Sequence, residues 1–90
     1  MKAKLSPLVQ KKIKEIFLHD RKLYKRIEKQ IKLFEANPKH PSLRIHKLSG
    51  KPNHMWSLSV NRSLRMIYQY VEKDIVYFVD LGTHDEVYKK

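Results

Sequence analysis

The sequence predicts an α+β domain, with an N-terminal helical hairpin packed on one face of a small antiparallel sheet of about four strands. Two observations carry this expectation. Apolar residues recur at helical spacing between Leu8 and Phe34, and from Leu43 onward the period changes to two. The strand half is broken by short, turn-rich links, and helices followed by consecutive strands argue segregated helices on an antiparallel sheet. Ninety residues, 41% of them hydrophobic, suit one small-cored domain over residues 1–90 rather than a disordered basic tail.

The elements follow in order. Residues before Ser6 are too few to classify and fit at most a short edge strand, Lys2 to Leu5. Ser6-Pro7 is a helix start, with serine as N-cap and proline at the first helical position. Leu8, Val9, Ile13, Ile16 and Phe17 form the stripe of a first helix over 7–17. His19-Asp20 breaks the pattern, and Asp20 is a candidate second N-cap. Leu23, Tyr24, Ile27, Ile31 and Phe34 make the stripe of a second helix over 21–35, ended by Asn37-Pro38 and His40-Pro41. The short link makes these an antiparallel hairpin over 7–36.

The sheet is expected over 42–82. Leu43 and Ile45 alternate with Arg44 and His46, and Ser49 to Asn53 is a turn cluster. Trp56, Leu58 and Val60 alternate with Ser57 and Ser59 in a half-buried strand. Asn61-Arg62-Ser63 is a turn, Leu64 to Val71 a strand, Glu72-Lys73-Asp74 a hairpin loop and Ile75 to Leu81 a last strand ended by Gly82. Thr83 to Lys90 reads as a polar tail. Met66, Tyr68 and Tyr70 fall on one face of their strand and Ile67 and Val71 on the other, so the second face is expected to be partly covered by something outside this chain.

Composition narrows the chemistry. Twenty Lys and Arg against nine Asp and Glu give a net charge of +11, most of it in residues 1–39. Such a field favours a polyanion, either nucleic acid or an acidic protein. With no cysteine there is no disulfide, thiolate metal site or cysteine nucleophile. No apolar run is long enough to span a membrane, so no membrane partner is expected. The N-terminus has charge but no apolar stretch after it, so no signal peptide is expected and a cytoplasmic protein is the default. Two glycines make no phosphate loop, and the sparse acids neither converge as a metal set nor pair as a two-carboxylate hydrolase. No metal and no cofactor are expected.

His, Arg and Tyr in the strand half remain. A metal-free ribonuclease needs a base for the ribose 2′-OH, a cation for the phosphate and an acid for the leaving oxygen. His46 lies on a polar strand face. Arg65 stands inside an apolar strand, where a charge needs a partner. His84 follows the last strand, with Tyr88 four residues on. Each has a plainer reading: Arg65 pairing with Asp80 or Asp85, His84 as a surface hydrogen-bonding group, Tyr88 capping the sheet, and Trp56 in the core.

His46-Lys47-Leu48-Ser49-Gly50, Trp56-Ser57-Leu58-Ser59-Val60, Leu64-Arg65-Met66-Ile67-Tyr68 and Leu81-Gly82-Thr83-His84-Asp85-Glu86-Val87-Tyr88, in this order and spacing, resemble the RelE/ParE toxin superfamily, and within it the YafQ-like branch. The motifs span residues 42–90, and the element order spans the whole chain. The resemblance implies a microbial toxin of a type II toxin–antitoxin pair that cuts messenger RNA in the ribosomal A site without metal. It implies a cognate antitoxin, the ribosome and messenger RNA as partners. It also implies catalytic roles for His84, Tyr88, Arg65 and His46, with residues 83–90 as a catalytic tail. The middle strand departs from the family pattern, carrying Ser57 and Ser59 where YafQ-like members have a histidine and RelE lysines. His54, just before that strand, is the candidate substitute base. Lys11, Lys12, Lys14, Lys22, Lys25, Arg26, Lys29, Lys32, Lys47 and Arg62 are expected to grip RNA or the ribosome. A ParE-like gyrase inhibitor and a non-catalytic RNA- or antitoxin-binding module stand as alternatives.

Overall fold

The computed structural model describes residues 1–48 and 54–88, and for His84 and Tyr88 the backbone only. The expected turn at Ser49 to Asn53 lies outside the described residues. Ser6 and Asp20 each close one element and open the next. The Ser6 N–H donates to Phe78 O at 3.0 Å, ending strand β1 (Lys2–Leu5). Its Oγ accepts from Val9 N at 3.1 Å, starting helix α1 (Pro7–His19). Asp20 donates its N–H to Ile16 O and accepts Leu23 N on Oδ1, so this one residue joins α1 to α2 (Arg21–Ala36). Phe17 and Tyr24 meet edge to face across the junction, with ring centroids 4.9 Å apart.

The sheet runs in the order β1-β5-β4-β3-β2, with β2 (His46–Lys47), β3 (Trp56–Ser59), β4 (Leu64–Glu72) and β5 (Ile75–Thr83). β2 to β5 pair antiparallel, as expected. Instead of about four strands there are five, because Lys2–Leu5 pairs parallel with β5, from Lys2 opposite Ile75 to Leu5 opposite Phe78. Edge strands need a partner for outward amides. Here Ala3 N donates to the Glu35 carboxylate of α2 at 2.9 Å.

Alternation sorts the sheet into two faces. Leu58, Val60, Met66, Tyr68, Val76 and Phe78 join Val9, Ile27 and Phe34 of the helices in the main core. Phe34, Tyr68 and Phe78 form its aromatic centre, with ring centroids 5.0–5.8 Å apart. Buried Gln30 donates to Ser59 O at 2.9 Å and Arg26 Nε to Val60 O at 2.7 Å, which ties α2 to the end of β3. Of the predicted stripes, Leu8 remains 45% exposed.

Three expectations are corrected. Leu43 and Ile45 are not in a strand: Pro41–Leu43 is a 3₁₀ turn that buries Leu43 in the main core, and only His46–Lys47 pairs with β3. Gly82 does not end the last strand, since it pairs with Arg65 and the strand continues to Thr83. Thr83–Lys90 is not simply a tail, because His84–Tyr88 is a helix, α3. That helix also covers part of the second face from within the chain, as Val87 packs with Leu48, Ile67, Met55 and Val79 in a second cluster.

Candidate functional site

The open face of the sheet, opposite α1 and α2, carries the polar residues that alternate with the main core. Register places His46 of β2 opposite Ser57 of β3, and Ser57 lies two positions from the residue that pairs with Arg65 of β4. The three side chains meet at one atom. Ser57 Oγ, fully buried, is 3.1 Å from His46 Nε2 and accepts from Arg65 Nε at 3.3 Å and Nη2 at 3.1 Å. Arg65 Nη2 also donates to Arg44 O at 3.1 Å. The hydroxyl can serve either protonation state of the imidazole. It donates to an unprotonated Nε2 and accepts from a protonated one. An imidazole and a guanidinium held on one hydroxyl, at the surface of a rigid sheet, can move a proton and stabilise an anion side by side.

Among the described residues the hydrogen bonds of Arg65 go to Ser57 Oγ and Arg44 O rather than to the aspartates that its position suggested. Asp80 Oδ1 instead takes Lys12 Nζ at 2.9 Å, and the same ammonium donates to Leu81 O at 2.8 Å. Lys12, expected on the RNA-gripping face, is thus half-buried in an ion pair between α1 and β5. Lys11, Lys14, Lys22, Lys25, Lys29 and Lys32 are exposed on the helices, and Lys47 and Arg62 are exposed in the strand half. His54 is exposed with a left-handed backbone, φ 51°, and among the described residues no hydrogen bond joins it to the Ser57 cluster. Trp56 sits on the core face, as its plainer reading had it, edge to face with Tyr70.

The placement of α3 follows from a reciprocal cap. Thr83 N donates to Glu86 Oε1 at 2.7 Å, and Glu86 N donates to Thr83 Oγ1 at 3.3 Å, a capping box spelled Thr-x-x-Glu. These bonds hold the Glu86 carboxyl below the usual carboxylate range. Gly82 allows the helix to fold back. A Cβ there would stand 3.0 Å from Glu86 Oε1, 3.1 Å from Glu86 Cβ and 3.4 Å from Val87 Cγ1. His84 is the first residue of α3 and Tyr88 the last, in a chain that leaves β5 two residues after the partner of Arg65. The side chains of His84 and Tyr88 lie outside the described residues.

Two features were missed in the sequence. Ser57 counted as a departure from the family pattern, and the alternation that puts it on the polar face was the signal that it could meet His46 and Arg65. The Thr83–Glu86 spacing was itself a readable capping box. Among the described residues no group of three or more His, Asp or Glu could hold a metal.

Comparison with known proteins gives the same architecture. The YoeB/ParE toxin from Agrobacterium tumefaciens superposes with a TM-score of 0.77 at 15% identity, covering 93% of this chain and 99% of that one. YafQ from E. coli strain BL21(DE3) gives 0.76 at 16% identity, covering 97% of each chain. The toxin of the YoeB–YefM complex from Staphylococcus aureus gives 0.75 at 19% identity, covering 93% of this chain and 97% of that one. At these identities the likeness speaks for the fold. No curated protein matches the chain. The family model described as the ParE toxin of the type II toxin–antitoxin system parDE matches residues 3–88, nearly the full length, and the five-stranded sheet under a helical hairpin is the fold these toxins share; this chain is a member of that family.

Proposed function

We propose that this toxin is a ribosome-dependent, metal-independent endoribonuclease that stops translation by cutting messenger RNA at the A site. The observation that carries the reading is the meeting of His46 and Arg65 on Ser57 Oγ at the open sheet face. Arg65 contacts the scissile phosphate and takes up the charge that develops on it. His46 and His84 share the proton work, one accepting the ribose 2′-OH proton and the other protonating the leaving 5′-oxygen, with Tyr88 assisting. The 2′-oxygen bonds to phosphorus, the bond to the 5′-oxygen breaks, and the products are a 2′,3′-cyclic phosphate and a 5′-hydroxyl. The exposed lysines of α1 and α2 grip ribosomal RNA.

The partners of this reading are the ribosome, messenger RNA and a cognate antitoxin, and its compartment is the cytoplasm, where ribosomes translate. YoeB is solved in complex with YefM, which supports an antitoxin that covers toxin surface here as well.

The test is cell-free translation with the purified protein, mapping messenger-RNA 5′ ends by primer extension. Cuts at in-frame codons that appear only during translation are expected. His84→Ala is expected to abolish them with the fold and antitoxin binding unchanged, and retained cutting would remove His84 from the mechanism. A second reading, inhibition of DNA gyrase, is favoured by the ParE description of the matched family. It predicts intact messenger RNA together with blocked supercoiling in a gyrase assay.

A further inference from the structure

The chain has five arginines, and four of them, Arg26, Arg44, Arg62 and Arg65, line one cavity of about 320 Å³ with Ser42 and Ser59. They come from four places: α2, the end of the 3₁₀ turn, the β3–β4 turn and β4. Among the described residues no lysine lines it, although lysines are three times as numerous in the chain. Among the described residues no carboxylate lines it either. Four arginines on the lining of one small space make it strongly positive and favour an anion there. A guanidinium offers a planar fork that matches phosphate oxygens two at a time, which an ammonium does not.

The backbone supports the convergence. Arg44 has φ 45° and ψ 51°, a left-handed conformation that residues with a Cβ seldom adopt and that collects at binding sites. Arg65 holds that turn by donating to Arg44 O, and Arg26 is fixed by its Nε bond to Val60 O. Arg65 belongs to both this cavity and the Ser57 cluster, so the two adjoin. On the other side, Arg26 and Asn61 also line a groove along α2 with Lys22, Lys25 and Lys29, and with the single carboxylate of Asp20. The result is a continuous basic path from the Ser57 cluster through the arginine cavity to α2.

Resting on the endoribonuclease reading, we propose that the arginine cavity seats the RNA backbone phosphate next to the one under attack. Arg65 is shared between the two, so the strand is held at two consecutive phosphates. Arg26, Arg44 and Arg62 are binding residues of this subsite and take no part in proton transfer.

The test follows the arginine Nε–H signals of the labelled full chain by NMR. One titration adds inorganic phosphate, and a second adds a short 2′-O-methylated oligoribonucleotide, which cannot be cut. The signals of Arg26, Arg44, Arg62 and Arg65 are expected to shift together and saturate with the oligonucleotide. Arg21, stacked 3.9 Å over the Phe17 ring, should stay unmoved as the internal control. Arg44→Gln/Arg62→Gln, at two exposed positions, should weaken oligonucleotide binding about tenfold. The slope of log affinity against log salt should become shallower by about 0.7, the value for one phosphate left unneutralised. Equal movement of all five arginines signals a diffuse ion atmosphere and overturns the proposal. So does unchanged affinity in the double variant with its fold intact by circular dichroism. Saturation by inorganic phosphate with no response to the oligonucleotide assigns the cavity to free phosphate and also overturns it. None of these titrations depends on cleavage, so failure of the endoribonuclease reading shows separately, as intact messenger RNA in the translating extract.

Discussion

Replacing Ser57 by alanine removes the oxygen on which His46 and Arg65 meet. Arg65 then loses its two donations to that oxygen, at 3.3 and 3.1 Å, and keeps the Nη2 bond to Arg44 O. The two donations share one acceptor and are long for charge-assisted hydrogen bonds. They should be counted once, at the lower end of the range for hydrogen bonds to charged groups, about 1.5 kcal/mol. For a domain of this size that corresponds to a fall in Tm of about 6–12 °C. The larger effect falls on activity. With no hydroxyl between them, the imidazole and the guanidinium lose their common anchor, and a displacement of about 1 Å at a phosphate-binding arginine costs roughly a hundredfold in rate. The assay is cleavage per translating ribosome at a temperature well below both melting points, beside a thermal melt of each protein. A variant as active as the parent, whatever its Tm, refutes the argument that Ser57 organises the site. A variant with unchanged Tm and abolished activity refutes the energetic part and leaves the anchoring role.

Two further predictions concern α3. Gly82→Ala places a Cβ 3.0–3.1 Å from Glu86 and is expected to shift α3 by a few tenths of an ångström against β5 and loosen its cap, costing about 1 kcal/mol, the lower end for overpacking, and reducing cleavage. Full stability in a melt would show that the helix shifts freely. Glu86 is more acidic in the folded protein than in the unfolded chain, so its capping contribution is present above the unfolded pKa and is lost as pH falls through the lower, folded value. Protection of the amides of Asp85 to Val87, relative to the intrinsic exchange rate at each pH, should therefore fall in acid ahead of the core strands, and Glu86→Gln should remove that pH dependence. Protection factors that change evenly across the protein would contradict it.

Much of the local structure is legible from near neighbours in sequence. The Ser6 and Asp20 caps, the two apolar stripes, the Asn61 turn and the Lys73-Asp74 hairpin each depend on groups a few residues apart, and period and turn chemistry report those directly. The motifs around Arg65 and Gly82-Thr83-His84 led to the toxin family for the same reason, since their order along the chain is itself the signal. Where local signals ran out, long-range contacts decided. Lys2–Leu5 is too short to be recognised alone and becomes a strand through β5, more than seventy residues away. Leu43 looked like a strand residue by alternation and is instead drawn into the main core by a 3₁₀ turn.

The sequence by itself determined a basic α+β toxin fold, because charge, periodicity and capping are properties of composition and short spacing. Tertiary structure decided which side chains share a site. Register brings Ser57 between His46 and Arg65, an ion pair takes Lys12 out of the basic face, and four distant elements gather four arginines around one cavity. These outcomes depend on long-range pairing and close approach. A one-residue slip of register would turn Ser57 to the other face of the sheet, and no spacing along the chain encodes that choice.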